Sequence, residues 1–410
     1  MKRSALCVRT LAVLAIAAFM LSKKLAVLAL ALNQAAAASS NQQFPNSSSF
    51  KAAEEAYFVM EVPPRKDNFV VKLTDPAKIQ KARDLVSGRD QSATQVTGII
   101  VKQPACYNPP WSFHYDPESI SFFDSAIEVC DASIAYTESF LSDAGGAFLP
   151  DNRWCPWGSR LLREIPPPTC DNGATSVSAA SYKRVGVAGE SLITAFGNGL
   201  ATATESATTL PLPTSLAGTT VKIKDGAGKE ILAPLFFVSP TQVNYQMPAG
   251  LEPGLSTVTI TNSQGQIAKE STQVLTIAPG LFTANATGQG VVAAVALRIK
   301  ADGSQHFEPV ARFDQTLNRF VPAPIDLGAA TDQVFLVIFG TGLRGANLED
   351  VDGRIGEFIA EALFIGPQPD FTGLDQINLR LPRRLAGKGE VAVDLLIDDQ
   401  KANPVVIAFK

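Results

Sequence analysis

The stretch FGNGL at residues 196–200 recurs as FGTGL at residues 339–343. This repeat is the clearest indication of the fold of most of the chain. A second stretch, QVNYQMP at residues 242–248, recurs in the same order as QINLRLP at residues 376–382. Each copy then continues into a run rich in β-branched residues. The repeat predicts two related structural units in tandem, which meet near residues 278–280.

The sequence around these repeats is typical of an all-β structure. Short runs rich in β-branched residues, such as 219–224, 257–261 and 334–339, alternate with turn sequences that contain Asp-Gly or Pro-Gly. We therefore predict two Ig-like β-sandwiches, at residues 178–280 and 281–410. The whole chain is predicted to be a multidomain protein in which these sandwiches follow a smaller domain.

Residues 53–165 are predicted to form that smaller domain, a disulfide-bonded α+β head. Strand-like alternation surrounds a helix in which Asp75 is the N-cap and Pro76 is the first helical residue. A flexible polar lead is predicted at residues 39–52. A Pro-rich linker at residues 166–177 joins the head to the first sandwich.

Residues 1–38 are predicted to be a secretory signal peptide. The apolar runs at residues 11–22 and 25–32 are each shorter than the ~20 residues that span a bilayer, and a lysine pair separates them. The segment that begins at Met20 is by itself a complete signal, which makes Met20 a candidate for the true start. An uncleaved membrane anchor is the alternative; cleavage leaves no stable membrane span.

The cysteines predict two disulfide bonds. Cys7 lies in the signal, and the other four lie in one stretch of the head and linker, at Cys106, Cys130, Cys155 and Cys170. An exported chain with an even number of cysteines has these residues paired, and four cysteines allow three pairings. We favour Cys130–Cys155 and Cys106–Cys170. A zinc site is the alternative, although the chain has no CxxC pair.

Charge and histidine content exclude some function classes. The formal net charge is −4, so the chain lacks the basic surface that nucleic-acid binding needs. Its two histidines, His114 and His306, are too few for a histidine-rich metal site. We predict no cofactor and no metal.

The head is rich in aromatic residues, which either line a ligand groove or fill a small core. The candidate binding residues are Tyr107, Trp111, His114, Trp154 and Trp157. His114 also lies near Ser112 and Asp116, which suggests acid–base chemistry. The sequence has no nucleophile elbow and no paired carboxylates in support of that chemistry.

Three further motifs each have a structural and a functional interpretation. The stretch GTGLRG at residues 340–345 matches GxGxxG, but the helix that dinucleotide binding requires is not predicted after it. The repeated Gln-x-Asn-x-x-x-Pro element is either a polar binding patch or a structural feature of a strand end. The acidic residues at 347–353 form either a calcium site or a surface loop.

The β region resembles the uncharacterised C-terminal domain of secreted Solibacter-type acidobacterial proteins. The similarity is carried by SAASY at 178–182, PLPTSLAG at 211–218, SPTQVN at 239–244, APGLFT at 278–283, FGTGL at 339–343 and GLDQIN at 373–378. The resemblance implies an exported β module that follows a variable N-terminal domain, and it carries no catalytic residues. This chain departs from the pattern in a bulkier insertion at residues 306–321.

The head resembles the N-terminal domain of a family whose members are named calmodulin-binding proteins. The matching stretches are FVVKLTDP at 69–76, YNPPWSFH at 107–114, EVCD at 128–131 and WCPW at 154–157. The resemblance implies a binding role.

The sequence as a whole predicts a secreted or cell-surface, non-enzymatic binding or adhesion protein. Its head is the recognition element, its sandwiches are a spacer, and its partner is an extracellular protein or polysaccharide. One alternative is an extracellular hydrolase or hydrolase inhibitor that acts through the head. The other is a passive structural protein of the cell envelope.

Overall fold

The computed structural model describes residues 55–410, apart from residues 66, 106, 126–127, 168–172 and 185. The predicted signal peptide and flexible lead lie outside the described residues. The described chain is mostly β, with two α-helices, both in its N-terminal part. Neither of these helices has the length and apolar character needed to cross a membrane.

The N-terminal region, residues 55–165, combines small sheets with the two helices. Its helices are α1 (Pro76–Val86) and α2 (Ile134–Ser139). Its strands are β1 (Ala56–Glu61), β2 (Asn68–Leu73), β3 (Gln95–Val101), β4 (His114–Tyr115), β5 (Ser121–Phe123), β6 (Ala144–Gly145), β7 (Phe148–Pro150), β8 (Arg153–Trp154) and β9 (Arg160–Ile165). One sheet has the order β2-β1-β9, and β3 pairs with β4, β5 and β8 in another.

Helix α1 begins where the sequence predicts. The Asp75 carboxylate accepts hydrogen bonds from the backbone N–H groups of Ala77, at 2.8 Å, and Lys78, at 3.0 Å. These bonds satisfy donors that have no partner inside the helix, while Pro76 at the first position needs none. Ile79 and Ala82, three residues apart, form the buried side.

The first repeat region contains two five-stranded sheets. Its strands are β10 (Ala174–Ser178), β11 (Val187–Ala188), β12 (Leu192–Gly197), β13 (Glu205–Ser206), β14 (Thr220–Lys224), β15 (Glu230–Leu232), β16 (Leu235–Val238), β17 (Gln242–Gln246), β18 (Gly254–Thr261) and β19 (Ile267–Leu275). The strand orders are β10-β12-β17-β16-β13 and β11-β19-β18-β14-β15. Alternate residues of both sheets, such as Val243 and Val258, belong to one hydrophobic core, so the sheets face each other.

The second repeat region has the same two-sheet plan. Its strands are β20 (Gly280–Leu281), β21 (Gly290–Val291), β22 (Ala294–Ile299), β23 (Gln305–Pro309), β24 (Ala311–Asp314), β25 (Arg319–Pro322), β26 (Gln333–Thr341), β27 (Val351–Ile355), β28 (Phe358–Ile359), β29 (Ala362–Pro367), β30 (Asp375–Arg380), β31 (Gly389–Ile397), β32 (Gln400–Lys401) and β33 (Val405–Phe409). The order β23-β22-β26-β30-β29 forms one sheet and β21-β33-β31-β27-β28 the other, again around a shared core. The insertion contributes β23 and the separate hairpin β24–β25.

The N-terminal region is packed against both repeat regions. Its hydrophobic core is continuous with Leu275 and Ala278, at the end of the first repeat region. Helix α2 contacts the second repeat region at the turn before β32. There the hydroxyl of Ser139 donates a hydrogen bond to the backbone oxygen of Asp399 at 2.9 Å. Residues 54–410 accordingly form one compact unit. The predicted domain boundaries inside this unit remain predictions.

Candidate functional site

Trp154 lies in the core of the N-terminal region. Its indole stacks on Tyr115 with ring centroids 5.1 Å apart, and it contacts the edges of Phe69 and Phe113. Its ring N–H donates to the backbone oxygen of Ala132 at 2.9 Å. The side chain is fully buried and its one polar atom has a partner, so Trp154 stabilises the core and has no surface for a ligand.

Trp111 is also a core residue. It is 1% exposed, and its ring N–H donates to the backbone oxygen of Asn68 at 2.8 Å. The same oxygen accepts a hydrogen bond of 2.8 Å from the side chain of Gln273, which belongs to β19. Trp111 therefore helps to hold the N-terminal region against the first repeat region. The aromatic groove considered from the sequence does not contain these two tryptophans.

Tyr107 and His114 do lie together, half-buried at the side of β1. Their ring centroids are 6.0 Å apart, and Tyr107 also contacts Tyr57 edge-on at 5.5 Å. Burial raises the pKa of Tyr107 above the ordinary value of a phenol, because the charged form would lose its hydration. The Nδ1 atom of His114 is 2.7 Å from the backbone oxygen of Gln103, so Nδ1 carries the hydrogen of this bond.

The acid–base trio suggested by the sequence is not assembled. The hydroxyl of Ser112 donates to Glu138 at 2.7 Å, and the Ser112 backbone N–H donates to the same carboxylate at 2.8 Å. Asp116 caps its own turn, since its side chain accepts from the N–H of Glu118 at 3.2 Å. Each of these three residues thus makes its own local hydrogen bond, and none of the three bonds joins Ser112, His114 or Asp116 to another of them.

The predicted Cys130–Cys155 disulfide is confirmed, with a Cα–Cα distance of 5.2 Å. The other predicted pair, Cys106–Cys170, lies outside the described residues. Beside the sulfurs, the backbone N–H of Cys155 donates to the oxygen of Cys130 at 2.8 Å. The disulfide and this bond join two loops of the N-terminal region.

Trp157 projects from one of these joined loops. We call residues 155–158 the Trp157 loop. The backbone N–H of Trp157 donates to the Asp131 carboxylate at 2.8 Å, and that of Gly158 donates to the Gln95 side chain at 2.7 Å. The backbone is therefore held while the indole is 42% exposed.

The loop opposite Trp157 adds a second exposed apolar side chain. Val129, next to the bonded Cys130, is 58% exposed. The sequence analysis named Trp157 as a binding candidate, whereas Val129 and Asp131 entered it only as part of the EVCD stretch that carries the family resemblance. Their position on either side of Cys130 is the signal that could have indicated them, once the Cys130–Cys155 pairing is accepted.

The repeated glycines have a structural role in both copies. A Cβ on Gly197 would overlap the backbone oxygen of Gly173, and one on Gly340 would lie 2.6 Å from that of Gly280. Gly199 and Gly342 have φ of +68° and +74°, which glycine adopts without strain. No α-helix starts on residues 340–345, so the helix N-terminus that a dinucleotide pyrophosphate needs is absent from this described segment.

The repeated Gln-x-Asn element forms the same hydrogen bond in both copies. The Gln242 amide donates to the Asn244 side-chain oxygen at 2.8 Å, and Gln376 donates to Asn378 at 2.8 Å. Residues two apart on a strand share a face. That face is the outer one, because the intervening Val243 and Ile377 belong to the cores. The four amides are half-buried.

The acidic loop at residues 347–353 shows no ion-binding arrangement. The side chain of Asn347 donates to Asp350 at 3.0 Å, and Asp352 pairs with Arg354 at 3.5 Å. Across the described residues, no three His, Cys, Asp or Glu side chains are arranged to hold a metal ion.

Comparison with known families gives a match to the N-terminal region. Residues 54–168 match the model of the BP-74 N-terminal domain. This match is consistent with the resemblance to the N-terminal domain of a calmodulin-binding-protein family that the sequence predicts for the head. The similarity to the Solibacter-type C-terminal domain remains a prediction, and no curated protein matches the chain.

Proposed function

We propose that this chain is an extracytoplasmic, non-enzymatic binding protein that recognises its partner through the Trp157 loop. The observation that carries the proposal is the combination of an exposed indole with a fixed backbone. Trp157 is 42% exposed, yet a disulfide and two hydrogen bonds anchor its loop. An aromatic residue held in place gives a large contact area at a small entropic cost, which is typical of binding hot spots.

The proposed location outside the cytoplasm is supported by the disulfide. Cytosolic thiol systems keep most cysteines reduced, whereas exported proteins retain their disulfides. The apolar and lysine-containing start of the chain is consistent with export. On this proposal the two repeat regions are Ig-like sandwiches of the Solibacter type, preceded by an N-terminal domain like that of the matched family.

The hydrolase alternative gains no support from the geometry. Ser112 is bonded to Glu138, and His114 contacts a backbone oxygen on one side and Tyr107 on the other. His114 is therefore not the base for the Ser112 hydroxyl, and the Ser–His pair of a serine hydrolase is not formed by these two residues.

The first test replaces the exposed indole. The full mature chain is immobilised and screened against arrays of extracellular proteins and of polysaccharides. We expect Trp157→Ala to weaken binding of the partner found by at least tenfold, because truncation of a hot-spot tryptophan removes most of its contact.

The matched control is Ile359→Ala, which removes a side chain that is 70% exposed on β28. It should bind as the unchanged chain does. Equal binding by the Trp157→Ala variant, or a screen without any partner, would overturn the proposal.

A further inference from the structure

We propose that the outer faces of the two repeat regions carry a pair of contact strips for an uncharged polysaccharide. Each strip consists of the Gln–Asn amide pair and the exposed phenylalanine ring that lies beside it on a neighbouring strand. This inference goes beyond the binding role proposed for the Trp157 loop and does not depend on it.

The first strip is defined by strand register. Gln242 lies directly opposite Phe196 of β12, and Asn244 lies opposite Phe237 of β16 and Thr194 of β12. Directly opposed residues of antiparallel strands project from the same face and are close enough to touch. Phe196 is 38% exposed, so a ring surface is open to solvent beside the amide pair.

The second strip has the same arrangement. Gln376 lies opposite Phe339, and Asn378 lies opposite Val337 and Phe364. Phe339 and Val337 are buried, so Phe364 supplies the ring surface of this strip. Phe364 is 37% exposed, and its ring lies over Gly366, the residue opposite Gln376. The exposed ring therefore lies beside the amide pair here too, although it comes from β29 and not from the strand that corresponds to β12.

The amides retain unused hydrogen-bonding capacity. Each pair uses one N–H of its Gln and one lone pair of its Asn oxygen. In the described structure, no hydrogen bond reaches the side-chain oxygens of Gln242 and Gln376 or the side-chain nitrogens of Asn244 and Asn378. An amide carries two donors and an acceptor oxygen with two lone pairs. Each strip therefore offers acceptors and donors side by side, and the internal bond orients them before binding.

The ligand class follows from this chemistry. Sugar hydroxyls both donate and accept, so they match adjacent amide oxygens and nitrogens, while the C–H face of a sugar ring packs on an aromatic ring. The residues opposite the two amide pairs are all uncharged (Phe196, Thr194, Phe237, Phe339, Val337, Phe364 and Gly366). The next residue on the outer face of β30, Arg380, has its charge paired with Glu361 at 3.3 Å. On the described faces an anionic polymer would therefore lack an unpaired arginine or lysine beside the amide pairs, which favours a neutral polymer.

The two repeat regions that carry the strips contact each other directly. The backbone N–H of Leu192 donates to the Thr341 hydroxyl at 2.8 Å, and Arg344 pairs with Glu190 at 3.2 Å. Arg344 is itself held by the buried Asp375 at 2.7 Å. Two weak sites on one chain bind a repeating ligand more tightly than either site alone when the ligand is long enough to reach both, which is why a polymer is proposed.

The experiment is affinity electrophoresis of the full chain in native gels that contain one polysaccharide each. The neutral probes are mixed-linkage β-glucan, xyloglucan and galactomannan, and polygalacturonate is the charged probe. We expect at least one neutral probe to retard the protein and polygalacturonate to leave it unaffected. Asn244→Leu and Asn378→Leu preserve side-chain shape and remove the hydrogen bonds. Each should weaken retardation by roughly tenfold, and the double variant should lose it.

Thr259→Val is the matched control, because Thr259 lies half-buried on the outer face of the opposite sheet of the first repeat region. It should be retarded as the unchanged chain is. Thermal unfolding checks that each variant is folded. If the double variant is unfolded, Phe364→Ala takes its place and should weaken retardation by removing the exposed ring. The proposal is overturned if no neutral probe retards the protein, if only polygalacturonate does, or if folded variants migrate unchanged.

Discussion

Gly342 occupies a position that only glycine fits. Its φ of +74° lies in the left-handed region, and a Cβ there would overlap the backbone oxygen of Ala278. Ala278 belongs to the segment that joins the two repeat regions. The glycine of the FGTGL stretch is thus required both for its own turn and for the close approach of this connecting segment.

We expect Gly342→Ala to destabilise the protein by roughly 2–4 kcal/mol. The left-handed conformation alone costs an alanine about 1–2 kcal/mol, and the overlap with Ala278 adds to that. The measurement is the free energy of unfolding from urea titration.

Gly303→Ala is the control for this prediction. Gly303 has a φ of +80°, but no atom lies within 4 Å of the position that a Cβ would occupy, so only the backbone cost applies. If Gly342→Ala and Gly303→Ala lower the free energy of unfolding equally, the contact between Gly342 and Ala278 is not tight.

Trp111 and Trp154 show what residue type alone leaves undecided. An aromatic side chain in a small disulfide-containing region is compatible with a groove and with a core. Both indoles are buried and donate to backbone oxygens, whereas Trp157, three residues after Trp154, is 42% exposed. Nothing in the local spacing distinguishes them.

The turn between β1 and β2 meets the turn between β31 and β32, and carboxylates are concentrated there. Arg65 of the first turn pairs with Asp398 of the second, and it lies 3.5 Å from Asp399. Asp67 is 6% exposed, and its Oδ2 atom has no hydrogen-bond partner. Burial, assisted by the charges of Asp398 and Asp399, raises the pKa of Asp67 to about 6 against the opposing effect of Arg65.

This contact makes stability depend on pH. The pKa of Asp67 is about 6 in the folded chain and near 4 when unfolded. Its contribution to stability is therefore complete below about pH 4 and is lost as the pH rises through about 6. We expect Asp67→Asn to stabilise the protein at pH 7.5 by on the order of 2–3 kcal/mol, with little effect at pH 4. Urea titrations across this pH range measure the effect.

Asp143→Asn is the comparison, since Asp143 is an exposed carboxylate in the same N-terminal region. It should leave the pH profile unchanged. The expectation is contradicted if the free energy of unfolding depends on pH in the same way for the unchanged chain and for Asp67→Asn.

At the scale of the whole molecule, the N-terminal region is part of one body with the repeats. Gln273 of β19 is fully buried at this junction, where its side chain donates to the backbone oxygen of Asn68. Leu275 continues the hydrophobic core of the N-terminal region. The repeat regions are therefore more than a spacer, because residues of the first one complete the hydrophobic core of the N-terminal region.

We expect Gln273→Glu to destabilise the chain strongly at pH 7. The new carboxylate would be buried without a compensating charge, at a cost of roughly 3–5 kcal/mol. The loss should shrink near pH 4, where the carboxyl group is protonated. Thermal unfolding at both pH values measures it.

Gln264→Glu provides the control, because Gln264 is exposed in the turn between β18 and β19. Its unfolding should match that of the unchanged chain. A similarly small effect of Gln273→Glu would mean that the junction is open to water.

The sequence by itself determined the tandem repeat, the turns that its glycines form, the start of helix α1 at Asp75 and a preference for the Cys130–Cys155 bond. These features depend on backbone conformation and on spacing along the chain, which are local properties. Only the tertiary structure decided which aromatic side chains are exposed, and it brought the outward-facing amides beside phenylalanine rings from neighbouring strands. It also placed the N-terminal region against both repeats. Burial and register depend on segments distant in sequence that pack together, so no local pattern specifies them.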